Sequence, residues 1–314
     1  MGERSGCLST SLEITKMQII KCAICGNNSK AKTLYKDNYE FSKIDRKSFS
    51  ARRMPDGTHY RFLKCCECGL IFSSPIIDAL KIKKFYEDSD FNYQTESEYL
   101  RKVYYKYFKK FINAKNKNVK ILEIGCANGF FLDELYKNGY KNVNGVEPGE
   151  GSVNRAAENI RKEIKINIFD RKLFNKNTFD IILCFHTLDH VVDPNLFLKD
   201  VNLLLKKKGK VLFVVHDTDA LSAKLFGQKS PIFDIEHIFL FNKNTLENIF
   251  KKNKFDKAMA FTIVNEYQLS YWVKLFPMPS IIKRLLLRSL AISRIGNLSV
   301  SLPAGNIGVV AQKQ

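Results

Sequence analysis

The stretch that most constrains this chain is Val119-Lys120-Ile121-Leu122-Glu123-Ile124-Gly125-Cys126-Ala127-Asn128-Gly129-Phe130-Phe131-Leu132, followed by Gly145-Val146-Glu147-Pro148. A short aliphatic run, small residues at alternate positions and an apolar helical start read as a buried strand, a tight turn and a helix. In an open parallel sheet such a turn lies at the carboxyl end of the first strand, where a nucleotide-like ligand can approach bare backbone. The next strand, Asn142 to Val146, delivers Glu147 to the same rim, where a carboxylate can accept both hydroxyls of a ribose.

The dinucleotide fingerprint G-x-G-x-x-G fits poorly. Counted from Gly125, its second glycine falls on Ala127 and its third on Phe130, whereas the small residues come at Gly125, Ala127 and Gly129. The spacing E-x-G-x-[GA]-x-G, opened by Glu123, instead resembles motif I of class I S-adenosylmethionine (AdoMet) methyltransferases. That resemblance implies that Glu123 and the turn Gly125-Cys126-Ala127-Gly129 serve the methionine end of AdoMet, with Glu147 and Pro148 at the ribose. Ala127 replaces the usual middle glycine, a mild change unless the position needs positive φ.

Two C-x-x-C-G knuckles precede this core, Cys22-Ala23-Ile24-Cys25-Gly26 and Cys65-Cys66-Glu67-Cys68-Gly69. Each bends the backbone so that amides point at thiolates, and together they supply a tetrahedral Cys₄ site for structural zinc, with Cys22, Cys25, Cys65 and Cys68 as ligands. Disulfides are the weaker alternative in a chain without a secretion signal. Knuckle spacing favours Cys65 over Cys66.

No run of about 18 apolar residues occurs and no basic head precedes an apolar signal segment, so a cytoplasmic protein is expected. The formal charge of +19 is compatible with nucleic acid, an anionic membrane or a phosphorylated acceptor. Its lysines are spread along the chain, as compositional bias would produce.

The pattern after Glu147 alternates as a doubly wound sheet should. A helix is expected from about Ser152 to Arg161, then a strand through Ile168 ending in Asp170, which is placed to accept the adenine amino hydrogen. Phe179 to Phe185 is a buried strand, and Phe185 and His186 border the same ligand. Asp193-Pro194 opens a helix that Lys206-Lys207-Lys208-Gly209 closes, and Lys210 to Val215 is a fifth strand. Upstream, Thr95-Glu96-Ser97-Glu98 has capping-box spacing, and Leu100, Val103, Tyr104, Tyr107, Phe108, Phe111 and Ile112 form one helical stripe. Asn244-Thr245-Leu246-Glu247 caps a helix ending near Lys254, and Phe255 to Val264 and Gly305 to Gln312 are the last strands. Between them, Trp272 to Ile295 is apolar and basic, and reads as a lid, a dimer element or a membrane-surface element.

Phe179-Asp180-Ile181-Ile182 with His186-Thr187-Leu188-Asp189-His190-Val191-Val192-Asp193-Pro194 also resembles methyltransferase motifs. Ala220 to Gly227 and Asp234-Ile235-Glu236-His237-Ile238-Phe239-Leu240-Phe241, with the Cys₄ unit, are similar to the zinc-containing branch that includes nucleotide-sugar C-methyltransferases and relatives from polysaccharide and antibiotic-sugar pathways. The resemblance implies a Rossmann-like α/β sheet, mostly parallel with an antiparallel end strand, and a small amino-terminal zinc-binding domain. It implies a Glu236-His237 pair in the active site, joined by a tyrosine matched to Tyr93. The family's tyrosine three residues before the histidine is Asp234 here.

A histidine titrates near neutrality and an adjacent carboxylate can orient it, so His237 with Glu236 is the candidate base. His190 is a second candidate, and His216-Asp217 faces the site. His59 has no evident role. The expected organisation is a flexible tail over 1–17, a zinc-binding domain over 18–80, an aromatic and helical connector over 81–115 and the AdoMet-dependent domain over 116–314, with 265–304 as an insertion. The expected activity is methyl transfer to carbon or oxygen of a sugar nucleotide or glycan intermediate. RNA methylation and a catalytically silent AdoMet-binding module are the alternatives.

Overall fold

The computed structural model describes residues 16–40, 44, 49, 57–88, 94–276 and 278–314. The expected tail residues 1–15 and Tyr93 lie outside these, as do the side chains of Thr95 and Glu96 in the expected cap.

The amino-terminal strands are β1 (Met17–Gln18), β2 (Ala31–Tyr35), β3 (Phe62–Cys65), β4 (Ile71–Ser73) and β5 (Ile76–Ile77). Helix α1 (Ala79–Glu87) follows, its first turn capped by the Asp78 side chain on the amide of Leu80. Helix α2 (Gln94–Tyr107) continues as one widened turn to Ile112 and stops at Asn113 in the left-handed region. Val103, Tyr104, Tyr107, Phe108 and Ile112 of the expected stripe are buried. They cover one face of the main sheet, where Tyr104 stacks on Phe185 at 4.1 Å and Tyr107 on Phe261 at 5.3 Å.

The core elements run β6 (Ile121–Ile124), α3 (Phe130–Lys137), β7 (Val143–Glu147), α4 (Glu150–Asn154), α5 (Glu158–Arg161), β8 (Ile164–Ile166), β9 (Phe179–Phe185), α6 (Pro194–Leu204), β10 (Leu205–His216) and α7 (Leu221–Phe226). They continue with β11 (Phe239–Leu240), α8 (Lys243–Lys252), β12 (Phe255–Gln268), α9 (Leu269–Leu275), α10 (Ser280–Ile292) and β13 (Ser299–Lys313). Seven strands form one Rossmann-like sheet in the order β12-β13-β10-β9-β6-β7-β8, with β13 antiparallel to both neighbours. The parallel order reverses between β6 and β9, so the carboxyl ends of these two strands flank the switch point where open α/β sheets bind ligands.

Side chains alternate across this sheet. Ile181, Leu183 and Phe185 join the core under α2 and α3, while Ile182 and Cys184 join the core on the opposite face. Both faces are covered, which is why β9 and β10 read as unbroken apolar runs. Each such fully buried aliphatic contributes about 1.5–3 kcal/mol.

Three local expectations are corrected. The helix expected over Ser152 to Arg161 is two short helices, α4 and α5, broken at 155–157. Lys206 to Gly209 does not close α6. It forms the bulged start of β10, where Leu205 already pairs with Phe179, Lys206 bonds Asp180 at 2.8 Å and Lys208 has φ 63°. The helix before β12 is capped by Asn242 rather than Asn244, in a reciprocal box with Thr245.

The cysteine-bearing strands form a second sheet in the order β11-β4-β3-β2. Its edge strand β11 comes from far downstream, pairing Phe239 with Phe72 and Leu240 with Ile71. One hydrophobic core accordingly runs from Ile20 and Phe72 through Leu122 and Ile182 to Phe250 and Val309.

Candidate active site

The turn after β6 holds three left-handed residues at alternate positions, Gly125 (φ 72°), Ala127 (φ 49°) and Gly129 (φ 67°). A Cβ on Gly125 would lie 2.1 Å from Thr187 Oγ1, and one on Gly129 would lie 2.7 Å from Ile160 Cγ2. Glycine is therefore required at both by conformation and by space. The middle position also has positive φ, so Ala127 is a strained substitute for glycine rather than a mild one. Glu147 braces the turn from the next strand: Oε2 accepts from the amide of Ala127 and Oε1 from that of Gly149, both at 3.0 Å. Burial pushes the Glu147 carboxyl up, and those two amides oppose the shift.

Glu123 is buried within β6. Burial, with the Glu147 charge second, drives its carboxyl well above the ordinary range. Among the described residues Glu123 Oε2, Asn128 Oδ1 and His186 Nδ1 are buried without a hydrogen-bond partner, and all three lie at or just after the switch-point strand ends. Orphaned polar atoms of this kind fit a polar ligand. Beside Glu147 a cleft of about 360 Å³ is lined by Lys83, Glu87, Pro148, Glu150, Ile166 and Asn167.

Of the remaining expected ligand residues, Asp170 lies beyond the strand expected to carry it. Strand β8 ends at Ile166, and Asp170 is exposed, its side chain capping the turn at Lys172. Asn167 and Ile166 line the cleft beside Glu147, and Asp170 does not. Phe185 is buried against Tyr104 and Phe131, and the Cys126 thiol faces Gly145, where a Cβ would lie 2.6 Å from it.

A cluster of histidines surrounds Asp189 at the ends of β9 and β10. His216 Nδ1 is 2.7 Å from Asp189 Oδ2, and His190 Nε2 is 3.8 Å from Asp189 Oδ1. The His237 ring lies 4.9 Å from that of His190 and 4.6 Å from that of His216, and His186 is 4.7 Å from His216. Burial would raise the Asp189 carboxyl, but the His216 hydrogen bond and the neighbouring imidazoles hold it below the usual carboxylate range. Burial lowers His237 well below its ordinary value, with His216 and His190 adding to the shift. It likewise lowers His190, and takes His186 to about 3. The His186, His190 and His237 rings are thus neutral at neutral pH.

Backbone bonds fix His237. Its Nδ1 donates to the Ile232 carbonyl at 2.8 Å, leaving Nε2 as the lone-pair nitrogen. Its carbonyl accepts from Ser73 Oγ at 3.0 Å, and Ile238 bonds Ser73 on one side and Asp189 on the other, both at 2.8 Å. Glu236 is buried beside it. Sequence reasoning missed Tyr86, whose Oη is 2.8 Å from His190 Nδ1. Burial, then the Glu236 charge, drives this phenol well above its ordinary pKa, so it stays a donor. Asp189 was missed as the centre of the cluster. Asp217 is drawn into a turn with Asp219. His59 acquires a structural role, accepting from Gln228 Nε2 at 2.9 Å.

The four knuckle sulfurs converge, with Cys22 and Cys68 Sγ 3.5 Å apart and Cys25 and Cys65 Sγ 3.8 Å apart. A tetrahedron with Zn–S bonds near 2.3 Å has an edge of about 3.8 Å, so the donor set fits zinc. Cys66 is exposed and outside the cluster. Asp189, His190 and His237 also bring three potential metal-ligand atoms within 4.8 Å, as do His186, Asp189 and His216.

The family model described as "Methyltransferase domain" matches residues 95–258, just over half of the 314. A ubiquinone biosynthesis O-methyltransferase of Coxiella burnetii is 34% identical over 113 residues, covering 34% of this chain and 47% of that protein. The chain spans about half the length of the ubiquinone-biosynthesis relatives it matches. A tRNA U34 carboxymethyltransferase of Campylobacter fetus is 28% identical over 222 residues, covering 64% of this chain and 76% of that protein. Among solved structures, a SAM-dependent methyltransferase from Archaeoglobus fulgidus matches with a TM-score of 0.47 and 16% identity, over 69% of this chain and 97% of its own.

Proposed function

Because this chain belongs to the methyltransferase-domain family, we propose that it transfers the methyl group of AdoMet to a hydroxyl or acidic carbon of a small acceptor, with His237 taking the proton. The observation that carries this reading is the Asp189-centred histidine cluster at the same strand ends as the glycine turn. Bound AdoMet supplies an electrophilic methyl group, so the protein's tasks are alignment, exclusion of water and, for such a nucleophile, proton removal.

Each task has residues suited to it. Glu147 retains lone pairs beyond its two amide bonds and can accept ribose hydroxyls. Glu123 Oε2, buried and orphaned, suits the ammonium of the methionine end. His237 presents Nε2 as a neutral acceptor, and the charge it acquires is stabilised by Asp189. His216 holds Asp189, and Tyr86 orients His190. Cys22, Cys25, Cys65 and Cys68 hold a structural zinc in this reading, and β11 couples that module to His237.

The sequence resemblance favours a sugar nucleotide or glycan intermediate as acceptor, and the O-methyltransferase relatives also support a hydroxyl. Methylation of RNA is a second reading, favoured by the likeness to the tRNA enzyme and the charge of +19. Retention on RNA with a steep salt dependence would support it. Calorimetry with AdoMet and turnover on a panel of nucleotide sugars, phenols, glycolipids and RNA test the proposal. Glu147→Ala should abolish AdoMet binding. His237→Gln should bind AdoMet as the wild type does yet lose roughly 10²–10⁴ in kcat. Wild-type protein that binds no AdoMet, or a His237→Gln variant with full turnover, would overturn it.

A further inference from the structure

The last two strands outrun the sheet they belong to. The pairing of β10 with β13 ends at His216 and Asn306, but β12 and β13 remain paired from Val264 and Pro303 to Gln268 and Ser299. Strand β12 runs parallel to the core strands, so this ribbon leaves the molecule at the carboxyl rim that holds the glycine turn and the histidine cluster. At its tip are α9 and α10.

Helix α10 has no buried residue. At 100° per residue, Ile281, Ile282, Leu285, Leu286 and Ile292 fall on one side, and Lys283, Leu287 and Leu290 on the other. The second group is half-buried, with Leu290 beside Gly296. The first group faces out, with Ile281 70%, Leu285 60% and Ile292 85% exposed. A surface helix ordinarily turns its apolar stripe inward; this one turns it to solvent. Phe276, Ile295 and Leu298 extend the exposed apolar surface, and Phe276 meets Phe226 of α7, whose Leu221 and Leu225 are also exposed.

Charge selects the occupant. Lys274, Arg284, Arg288 and Arg294 are exposed around this surface, and no Asp or Glu occurs after Glu266. A second copy docked face to face would bring arginines against arginines across an isologous interface. Nucleic acid would match the cations and leave the Ile and Leu stripe in water. A bilayer with anionic headgroups takes both, apolar side chains at the acyl boundary and cations among phosphates. We infer that the α9–α10 tip docks on an anionic membrane surface and turns the carboxyl rim of the sheet toward it. The inference does not depend on the methyl-transfer reading.

Vesicle flotation with the full chain tests it, using phosphatidylcholine alone and equimolar phosphatidylcholine and phosphatidylglycerol. The wild type should float with the mixed vesicles at least tenfold better than with the neutral ones. Ile281→Ser with Leu285→Ser, and separately Arg284→Glu with Arg288→Glu, should each lower that binding at least tenfold. Unchanged melting curves would show that both pairs fold, as the exposure of α10 leads us to expect. Absence of wild-type flotation, or flotation indifferent to both pairs, overturns the inference. So does a dimer, seen by light scattering without vesicle binding, that the apolar pair dissolves, or RNA retention without vesicle binding that the arginine pair removes. AdoMet calorimetry on the same samples reports separately on the catalytic reading.

Discussion

At the residue scale, the site concentrates its costs in Glu123 and Ala127. Glu123 is an acid whose pKa is raised in the folded protein, so the folded chain keeps a proton that the unfolded chain releases above about 4.5. Its burial therefore subtracts stability progressively as pH rises through and beyond that value. Glu123→Gln should match the wild type near pH 4 and exceed it in AdoMet-free urea melts by neutral pH. The gain should be on the order of 1 kcal/mol, the low end for an unsatisfied buried group. The same variant should bind AdoMet more weakly. Equal pH profiles for the two proteins would show that Glu123 is not held protonated. The acid was legible because it opens a local motif. The positive φ of Ala127 was not, since sequence shows the residue type and not its dihedral. Tyr86 was hidden for a different reason: its partner lies far along the chain, Tyr86 and His190 being 104 positions apart, and the hydrogen-bond partner that marks Asp189, His216, lies 27 positions on.

At the element scale, the segment carrying His237 is held between two parts of the protein. Strand β11 completes the cysteine-bearing sheet, and the His237 carbonyl is anchored by Ser73. Removing metal from the knuckles should therefore disturb catalysis as well as the small sheet. Dialysis against a strong chelator should release one zinc per chain, measured by plasma mass spectrometry. It should lower the melting temperature by roughly 10 °C, from about 4 kcal/mol of metal linkage and 2–4 °C per kcal/mol, with turnover lost in parallel. A chelated protein with no metal released would remove zinc from the proposal. The knuckles were readable because ligand spacing is local. Lys206 to Gly209 misled because three cations and a glycine satisfy a helix-stop pattern, and the pairing of Leu205 with Phe179 prevails over it.

At the scale of the whole molecule, the main sheet stands without its tip. Gln268 and Ser299 are cross-strand partners, so an Asn-Gly turn can replace 269–298. In α9 and α10 only Tyr271 is buried, packed on Tyr99 at 5.2 Å. The excision should cost about 2–6 kcal/mol, the value of the four ring contacts it removes, and leave AdoMet affinity within twofold by calorimetry. Loss of folding would show the tip to be part of the core. The succession of strands and helices was legible in apolar runs, whereas the extension of β12 to Gln268 and β13 back to Ser299 was not, because the buried positions of the first include the polar Asn265 and residues 299–304 of the second are exposed or half-buried. The late arrival of β11 has a consequence for synthesis. Ser73 and His237 are 164 positions apart, which at 5–20 residues per second is roughly 10–30 s of translation. During that interval the four thiols leave the ribosome in a sheet that lacks its edge, open to oxidants and to competing metals, until the chain that closes it has been made.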